Sequence, residues 1–568
     1  MGEQQRSTAT EQHVRGKVQL PARTSMDLFG GAGRISTVFP EPVLDLVGEL
    51  HRRFSPARLL LLSDRDRRQA EYDSGGLPGY LPAEFGPVMP RDWRVAPLPP
   101  DLLTRRVEIT GPANDRKMVI NMLSRSKEGA RADAAMLDFE DSMKPTWRNV
   151  LAGLENVRGA ARGTLRLTAN GKEYALDPSD MPLFMVRVRG LHLDEWNVTV
   201  DGTPVSAGLV DLVASAYHSA SALVAAGRTP MYYVPKCEHH LEARWWNRLF
   251  AAVEQGLGLP RGTIRVTFLI ETLPAAFQME EILFELRERA AALNVGRWDK
   301  IFSDIKVLKE HPDRVMPDRA TITMESPWMK NYALSLIRIC HWRGALAIGG
   351  MAAFTPGRLP EQRAHQTDLV ASDKRFEASL GHDGCWVSHP YFIACALSAF
   401  KRKNQLQVIP PMIGPRPDLL PRGGGQRTLD GLRKNIRVGI AYLKGWNEGH
   451  GCIAWDDLME DLATLEISRA QVWQWLRHAA RLDDGTAVTR ALIAQIFREE
   501  MDRIERALHE AAPNAANGSV QREVGRFRRA AQQAENIFTE AELRPFLNPV
   551  RNSCFTPAFA APPAAGAA

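Results

Sequence analysis

The sequence has few cysteines, and their spacing argues against a disulfide framework or a Cys-x-x-Cys metal site. The six are Cys237, Cys340, Cys385, Cys395, Cys452 and Cys554. Long hydrophobic runs are missing as well, since none approaches the ~18 residues of a membrane span. The opening residues, MGEQQRSTATEQH, lack the apolar core of a signal peptide. We therefore expect a cytoplasmic protein with reduced thiols and no membrane partner.

Charge of one sign is not concentrated in any segment. The net charge of +6 comes from arginines spread along the chain, and no basic run resembles a nucleic-acid-binding arm. We therefore expect no nucleic acid as a partner. Hydrophobic residues make up 44% of the chain and charged residues 24%, as in a globular protein with a sizeable core. The length of 568 residues favours two or three domains.

Short apolar runs alternate with helical segments through the middle of the chain. The runs are RVEITG (106–111), AAMLDFE (134–140), PLFMVRVR (182–189), MYYVPKC (231–237), RVTFLIE (265–271), AALNVG (291–296), ALAIGG (345–350) and CWVSHP (385–390). Eight strands with helices between them predict an α/β fold, the (β/α)8 TIM barrel. The dipeptides Asn170-Gly171 and Asp201-Gly202 favour hairpin turns and predict a small β insertion.

The chain on either side of this region has a different pattern. Residues 41–73 have helical Leu/Val spacing, which Pro56 is expected to break, and a Pro/Gly-rich linker follows. After residue 408 the apolar stripes of helices return. The predicted parts are a disordered leader (1–22), an N-terminal helical segment and linker (23–104), a TIM barrel (105–407) with the β insertion around 160–210, a C-terminal helical domain (408–548) and a disordered tail (549–568).

Charged side chains follow five neighbouring predicted strands, at the point where each strand ends. They are Asp138, Glu140 and Asp141 after the second strand, Arg187 and Arg189 on the third, Lys236 and Glu238 after the fourth, Glu271 after the fifth and Asp299 after the sixth. In a TIM barrel these strand ends and the loops after them form the active-site face. One such charge is explained equally well by a solvated surface, but five adjacent strand ends with charge favour a functional site.

Two of these carboxylates lie just past neighbouring strands, so that their oxygens can converge. Glu271 and Asp299 have no His or Cys nearby, and such a pair suits a hard ion such as Mg²⁺. Gly296 permits a sharp turn before the next helix, and the unpaired N–H groups around Trp298 in its first turn can bind a carboxylate. The sequence therefore predicts a metal ion and an anionic substrate in the same place.

The segment RERAAALNVGRWDKIF (287–302) resembles the malate synthase signature. The resemblance extends from RVEITGP through DFEDS, TIT, GGMAAFTP and GHDGCWVSHP to LMEDLATLEISRAQVWQWLRH, in the order of the family's shorter, A-type form. It covers roughly residues 40–545. Arg289, Ala292 and Lys300 depart from the signature, which has His, Gly and Tyr at these positions. These departures leave open whether substrate preference differs.

The resemblance implies a fold, a reaction and a set of site residues. The reaction is the Mg²⁺-dependent Claisen condensation of acetyl-CoA with glyoxylate, followed by hydrolysis to malate and CoA, an acyltransferase step of the glyoxylate cycle. By motif, Glu271 and Asp299 would ligate Mg²⁺ or a substituting Mn²⁺, Arg187 would stabilise the reacting oxygens, and Asp461 would be the base. The implied substrate-binding residues are Glu140, Asp141, Gly296, Arg297 and Trp298, and the implied CoA-binding residues are Phe354, Thr355, Pro356 and Cys452.

Two other functions stay open from the sequence. One is a related Mg²⁺-dependent malyl-CoA-type lyase or synthase that acts on another oxo-acid or acyl-CoA, and the other is a non-catalytic paralogue that binds CoA or an oxo-acid. The segment CEHH (237–240) has zinc-type residues but no second ligand pair, so a loop at the barrel mouth is the better interpretation. The glycines of PRGGGQRTLDGLRKN lack the Gly-Lys-Ser/Thr of a phosphate loop. The sequence does not indicate an oligomeric state.

Overall fold

The computed structural model describes residues 18–20, 31–511 and 517–547. The strands are β1 (Val18–Gln19), β2 (Val107–Pro112), β3 (Ala134–Asp138), β4 (Arg166–Ala169), β5 (Lys172–Ala175), β6 (Leu183–Arg187), β7 (Asp194–Val200), β8 (Thr203–Ser206), β9 (Met231–Val234), β10 (Arg265–Ile270), β11 (Ala290–Val295), β12 (Leu346–Ala352), β13 (Gly384–Val387), β14 (Ile453–Trp455) and β15 (Leu458–Glu460). The predicted disordered tail (549–568) lies outside the described residues, as does the predicted leader (1–22) apart from residues 18–20.

Helices surround and extend this set of strands. They are α1 (Gly31–Val38), α2 (Glu41–Asp73), α3 (Arg116–Met122), α4 (Trp147–Ala161), α5 (Ala207–Ala225), α6 (His240–Gly256), α7 (Leu273–Ala276), α8 (Met279–Glu285), α9 (Arg297–Val307), α10 (Pro327–Arg343), α11 (Pro360–Leu380), α12 (Ile393–Ala399), α13 (Leu429–Asn447), α14 (Leu462–Arg477), α15 (Arg490–Ala511) and α16 (Asn517–Phe538).

Eight parallel strands close into a barrel in the order β2-β3-β6-β9-β10-β11-β12-β13. This confirms the predicted (β/α)8 fold. The strands read as apolar runs without alternation because helices cover the outside and side chains fill the inside; every residue of β10 and β11 is buried. Inside the barrel, Arg105 donates to Glu108 (2.6 Å) and to the hydroxyl of Tyr233 (2.9 Å). These paired polar groups fill the barrel interior toward the amino ends of the strands.

The predicted β insertion consists of two separate hairpins. Asn170 and Gly171 both have positive φ angles in the turn between β4 and β5, and Asp201 and Gly202 do so between β7 and β8. The first hairpin forms a sheet of its own, whereas the second pairs with β1. The predicted disorder of the leader is therefore wrong at Val18 and Gln19. The free edge of β7 offers backbone partners to this two-residue strand.

The helix α2 runs through Pro56 without a break, contrary to the expectation from sequence. A proline inside a helix costs about 3 kcal/mol, so other contacts must offset it. Arg58 donates to the carbonyl of Leu191 (2.7 Å), and Arg65 donates to Glu242 (2.6 Å). These buried contacts lie on the C-terminal side of Pro56 and hold the helix against the barrel.

The helices after the barrel form a second hydrophobic core. Helix α13 places a stripe of buried apolar side chains against α14 and α16. The hairpin β14–β15 comes directly before α14, and α14 packs on α9 at the mouth of the barrel. The second core therefore holds the start of α14 above the strand ends.

One helix of the described chain, α5, is long and apolar enough to cross a membrane by length and composition. The expectation that no segment approaches this length was therefore wrong for α5. Most of the apolar window, 78%, is buried inside the protein, where α5 packs on α4 and α2. It is placed as a core helix of the barrel layer.

Candidate active site at the mouth of the barrel

A cavity of about 690 Å³ opens at the carboxyl ends of the strands. Most of the predicted site residues line it, namely Asp141, Arg187, Glu271, Gly296, Arg297, Trp298, Asp299, Pro356, Cys452 and Asp461. Three predicted residues, Glu140, Phe354 and Thr355, do not line it. The cavity therefore brings together residues from five strand ends of the barrel and from the start of α14.

A buried cluster of carboxylates with a lysine at its centre lies on one side of the cavity. The Lys236 Nζ lies 2.7 Å from Asp141 Oδ2, 3.1 Å from Glu140 Oε1 and 3.2 Å from Asp299 Oδ1. Its backbone N–H donates to Glu271 Oε1 at 2.7 Å. Lys236 has a φ of 52°, in the left-handed region that lysine rarely adopts. In this conformation Lys236 contacts all four acids: its ammonium group contacts Asp141, Glu140 and Asp299, and its backbone N–H contacts Glu271.

Burial and mutual repulsion raise the pKa values of Asp299, Glu140 and Glu271. Burial raises the pKa of Asp299 well above its usual value, and Asp141, Glu271 and Glu140 add to the rise against the attraction of Lys236. Burial also raises the pKa values of Glu140 and Glu271. Burial alone would lower the pKa of Lys236, yet the surrounding acids raise it well above normal, so the lysine stays charged. In the metal-free protein, Glu140, Glu271 and Asp299 therefore hold their protons to a higher pH than free carboxylic acids do.

The close packing of Glu271 on the start of α9 requires a glycine at position 296. A Cβ at Gly296 would lie 2.4 Å from the Cβ of Glu271 and 2.7 Å from its Oε2. Any larger residue would force the side chain of Glu271 to move. The signature glycine thus lets Glu271 pack against the start of the helix that carries Asp299.

Arg187 is fixed at the end of β6 by a carboxylate that the sequence analysis did not assign a role. Its Nε and one terminal nitrogen donate to the two oxygens of Asp138 at 2.6 Å and 2.5 Å. Burial raises the pKa of Asp138, but the charge and hydrogen bonds of Arg187 outweigh it and leave this pKa below normal. The other terminal nitrogen of Arg187 lies 3.5 Å from Glu140 and 3.8 Å from Asp141. The guanidinium is therefore held rigidly beside the carboxylate cluster.

Asp461 enters the cavity from the C-terminal helices, as the N-cap of α14. Its Oδ1 accepts a hydrogen bond from the backbone N–H of Thr464 at 3.3 Å, and the hydroxyl of Thr464 accepts from the Asp461 N–H at 3.0 Å. Burial and the charge of Asp141 raise the pKa of Asp461 to about 7, against the opposing effect of Arg187 and Lys236. A carboxylate with this pKa is suited to accept a proton near neutral pH.

Three predicted residues lie beside the cavity and not in its lining. Glu140 faces a smaller space behind the cluster, where His192 and Phe546 are neighbours. Phe354 forms a bridge with Leu458, and the Thr355 N–H donates to the carbonyl of Asp457 (2.9 Å). Phe354 and Thr355 thus join the barrel to the hairpin β14–β15 that precedes Asp461.

The C-terminal segment also closes on the barrel near this site. The Leu462 N–H donates to the carbonyl of Asp141 (3.3 Å), and the Leu547 N–H donates to Glu466 (2.6 Å). The ring of Phe546 stacks on His192 at 4.3 Å and meets Phe302 of α9 at 5.7 Å. These contacts fix α14, and with it Asp461, relative to the strand ends.

The three departures from the family signature lie away from the cavity. Arg289 precedes β11 at the opposite, amino end of the strand and donates to Asn247 and Glu254. Ala292 is buried in the apolar interior of the barrel. Lys300 is fully buried in α9 and paired with Asp304. None of the three lines the cavity.

Sequence reasoning missed two residues of the site. Asp138 and Lys236 were seen as charged strand ends but received no role. Their roles depend on contacts across the barrel. Asp138 binds Arg187 of the next strand, and Lys236 contacts acids that follow β3, β10 and β11. The fully buried Arg189, in contrast, is occupied by Asp211 and Glu195 and does not line the cavity.

The donor set fits a hard divalent cation. Both oxygens of Glu140, Oδ1 of Asp141 and Oδ1 of Asp299 are buried and make no hydrogen bond among the described residues, although Lys236 and Arg187 lie within ion-pair distance of some of them. Across the same described chain, no group of three or more His, Cys, Asp or Glu side chains is placed so that the protein alone could hold a metal ion. A pair of carboxylates with open positions is the usual protein contribution to Mg²⁺, which keeps waters and substrate oxygens as further ligands. A cation would also relieve the repulsion in the cluster.

Comparison with known proteins gives consistent matches along the chain. The family descriptions "Malate synthase, N-terminal domain", "Malate synthase, TIM barrel domain" and "Malate synthase, C-terminal" match residues 35–84, 183–411 and 426–550. Malate synthase A of Escherichia coli (strain K12) is 44% identical over 89% of this chain and 93% of that protein. Malate synthase of Myxococcus xanthus (strain DK1622) is 48% identical over 83% of this chain and 86% of that protein.

A eukaryotic relative agrees with these two. The glyoxysomal malate synthase of Candida tropicalis is 43% identical over 82% of this chain and 86% of that protein. Enzymes of this family use a divalent metal ion and act on acetyl-CoA. The comparisons confirm the predicted enzyme class and activity, an acyltransferase that catalyses the malate synthase reaction, and the chain belongs to the malate synthase family.

Proposed function

We propose that this chain condenses acetyl-CoA with glyoxylate in the cavity at the barrel mouth, with Mg²⁺ as the metal ion. The observation that carries the proposal is the arrangement around that one cavity. The rigid guanidinium of Arg187 and the acids Glu271 and Asp299 come from the barrel, while Asp461 comes from α14. A Claisen condensation needs this combination, because one group must remove a proton while others stabilise the charge that develops.

Glu271 and Asp299 would hold the ion. When bound, Mg²⁺ supplies Lewis-acid polarisation of the oxo-acid and a template for its oxygens. The first-turn N–H groups of α9 follow Gly296 and suit the carboxylate of the substrate, since a helix N-terminus favours an anion. Lys236 and the bound cation would together offset the negative charge of Asp141, Glu140 and Asp299, which favours the ionised form of these buried acids.

Asp461 would be the base that removes a methyl proton from acetyl-CoA. The methyl group is a poor acid, so the base must be held within hydrogen-bond reach of the proton. The N-cap bond from Thr464 orients the carboxylate, and its pKa of about 7 lets it bind and release a proton near neutral pH. The C–H electron pair passes into the enolate, whose carbon then forms the bond to the aldehyde carbon. The π electron pair of the aldehyde moves onto its oxygen, which takes up a proton to become the hydroxyl group of the malyl thioester.

Arg187 would stabilise the negative charge that develops on the reacting oxygens. Asp138 occupies two of its nitrogens and fixes the plane of the guanidinium, while the remaining nitrogen points toward the carboxylate cluster. A guanidinium stays protonated at any accessible pH, so its role is electrostatic and not proton transfer.

The basic residues Arg125, Lys127 and Arg363 also line the cavity, and we assign to them the phosphates of CoA. Arg125 is held in place by an ion pair with Asp180. Pro356 and Cys452 line the same cavity nearer the site. Burial and the charge of Asp461 raise the pKa of the Cys452 thiol to about 12. The thiol therefore stays protonated and is an uncharged part of the cavity lining.

We place this reaction in the cytoplasm. Support comes from the cysteines, since the five in the described chain, Cys237, Cys340, Cys385, Cys395 and Cys452, are free thiols. Fractionation of cells that produce the tagged chain tests this placement, and recovery of most of the chain in a membrane-bound compartment would contradict it.

The experiment for the reaction measures free thiol released from acetyl-CoA with glyoxylate, with pyruvate and without an oxo-acid. We expect CoA and free malate with glyoxylate, and little release in the other two reactions. Exhaustive chelation should abolish release, and Mg²⁺ should restore it. Full activity after chelation would contradict the metal assignment. Accumulation of malyl-CoA would support a lyase or synthase that does not hydrolyse the thioester.

A further inference from the structure

Tyr332 is a fully buried residue of α10 whose hydroxyl reaches the ends of two barrel strands. The hydroxyl oxygen accepts a hydrogen bond from the backbone N–H of Gly296 at 3.1 Å and donates to the carbonyl of Ile270. Ile270 is the last residue of β10 and precedes Glu271, whereas Gly296 follows β11 and precedes the helix that carries Asp299. One oxygen atom thus joins the two backbones that carry the proposed metal ligands.

Three other strand pairs of the barrel, β2–β3, β3–β6 and β6–β9, end in a different way. After their last paired residues, the ladder continues with direct backbone bonds, from Ala113 to Asp138 (2.9 Å), from Phe139 to Arg187 (3.0 Å) and from Val188 to Tyr233 (3.3 Å). At β10 and β11 the last pair is Ile270 with Val295, so the corresponding donor is the Gly296 N–H and the corresponding acceptor is the Ile270 carbonyl. The Tyr332 hydroxyl lies between this donor and this acceptor.

The surroundings hold the tyrosine ring in place. Its ring lies under Lys300, whose Nζ is 5.7 Å from the ring centroid and is paired with Asp304 on the same helix. The hydroxyl is thus presented to the strand ends by a rigid, buried side chain. Lys300, which departs from the family signature, contacts the ring of Tyr332 and not the substrate cavity.

We propose that Tyr332 is a positioning residue for the metal pair: its hydroxyl separates the ends of β10 and β11 and so sets the distance between Glu271 and Asp299. The inference rests on the proposed assignment of these two acids to the metal. Without the hydroxyl, the N–H of Gly296 and the carbonyl of Ile270 would lose their partner. These two groups would regain a partner by moving together and bonding directly, as at β2–β3, β3–β6 and β6–β9. Glu271 already fills the space beside Gly296, so it lies in the path of this movement.

The test is Mn²⁺ affinity measured by calorimetry on the folded full chain without acetyl-CoA. Tyr332→Phe should weaken Mn²⁺ binding by about tenfold to a hundredfold, the range for residues that orient metal ligands. The apparent KM for glyoxylate at limiting metal should rise with it. The KM for acetyl-CoA should not change, and saturating Mn²⁺ should restore most of kcat, because the base and Arg187 are untouched.

Tyr232→Phe is the matched control. Tyr232 is a buried tyrosine of β9, and its hydroxyl lies 3.0 Å from Ser215 Oγ, away from the metal pair. The same loss of a hydroxyl should leave Mn²⁺ affinity within about twofold of wild type, as for independent sites. Equal affinities for the two variants and the wild type would overturn the inference.

Glu271→Gln separates failure of the inference from failure of the proposed function. If Glu271→Gln binds Mn²⁺ like the wild type, the metal assignment itself is wrong. If Glu271→Gln loses binding while Tyr332→Phe keeps it, only the positioning role is wrong. Hydrogen exchange on the wild-type chain needs no variant: the Gly296 amide should be protected, and exchange at the rate of an exposed loop would also overturn the inference.

Discussion

Replacing Asp461 with asparagine separates its proposed chemistry from its structural role. Asparagine has the same shape and is as good an N-cap as aspartate, so the bond from the Thr464 N–H should survive. The variant should therefore fold and keep its contacts with the barrel. What it loses is the ability to accept the methyl proton of acetyl-CoA.

The expected loss of rate is about 10²–10⁴-fold, which is typical of removing a positioned general base. The affinities for glyoxylate and the metal ion should change much less than the rate, because Asp461 belongs to α14 and is not one of the two proposed metal ligands. Exchange of the methyl protons of acetyl-CoA with heavy water should vanish if the wild type shows it. The acid limb in the pH profile of kcat/KM, expected at or below pH 7 because a bound cation lowers this pKa, should disappear as well.

Whereas the rate should fall, the metal-free Asp461→Asn protein should be more stable than the metal-free wild type above about pH 7. The pKa of Asp461 rises from 3.8 to about 7 on folding of the metal-free chain, which corresponds to about 4 kcal/mol at most. Because the folded chain binds this proton more tightly, the wild type loses stability as pH rises from about 4 to about 7. Asparagine does not titrate. Metal-free Asp461→Asn should therefore match the wild type near pH 4 and be more stable at pH 8.

The assay combines thiol release from acetyl-CoA with thermal unfolding at pH 4, 6 and 8. Asp177→Asn is a suitable control, since Asp177 caps a short helical turn on the surface through Ser179. It should change neither the rate nor the pH profile. A folded Asp461→Asn enzyme that retains more than about a tenth of the wild-type rate would refute the assignment of the base.

Other substitutions test the rest of the site. Glu271→Gln and Asp299→Asn should each weaken metal and glyoxylate binding together in calorimetry, because the ion joins the protein to the substrate; loss of only one affinity would contradict this. Arg187→Lys should lose most of its activity in a thiol-release assay while circular dichroism stays unchanged, since lysine cannot address both oxygens of Asp138; near-normal kcat would refute its role. Lys127→Ala should raise the KM for acetyl-CoA several-fold, about 1 kcal/mol, without changing kcat, and an unchanged KM would remove Lys127 from the CoA site.

The barrel was predictable from sequence because each of its strands is a short and mostly buried run. Such runs stand out between helical segments, and the dipeptides Asn170-Gly171 and Asp201-Gly202 marked both hairpins. The continuation of α2 through Pro56 was not predictable. It depends on buried contacts of Arg58 and Arg65 with distant loops, and local propensity contains no information on these.

The candidate site was predictable as a list of residues but not as a set of contacts. Charges at strand ends gave Glu271, Asp299 and Arg187, and the family resemblance added Asp461. In the sequence, a lysine after a strand looks like a surface lysine. The central place of Lys236 among the acids became visible only from its left-handed backbone and its distances to Asp141 and Asp299. The roles proposed for all these residues stay predictions until the variants are measured.

The division of the site between two cores has a consequence for protein synthesis. A ribosome releases the barrel residues first, and Asp461 emerges only after the barrel is nearly complete. The contacts of Phe546 and Leu547 with the barrel and α14 form later still. A nascent or prematurely terminated chain can therefore assemble the acids and Arg187 but has no base at the mouth. Because the proposed base is Asp461, the first turnover must wait until residue 461 has been synthesised and α14 has packed on the barrel.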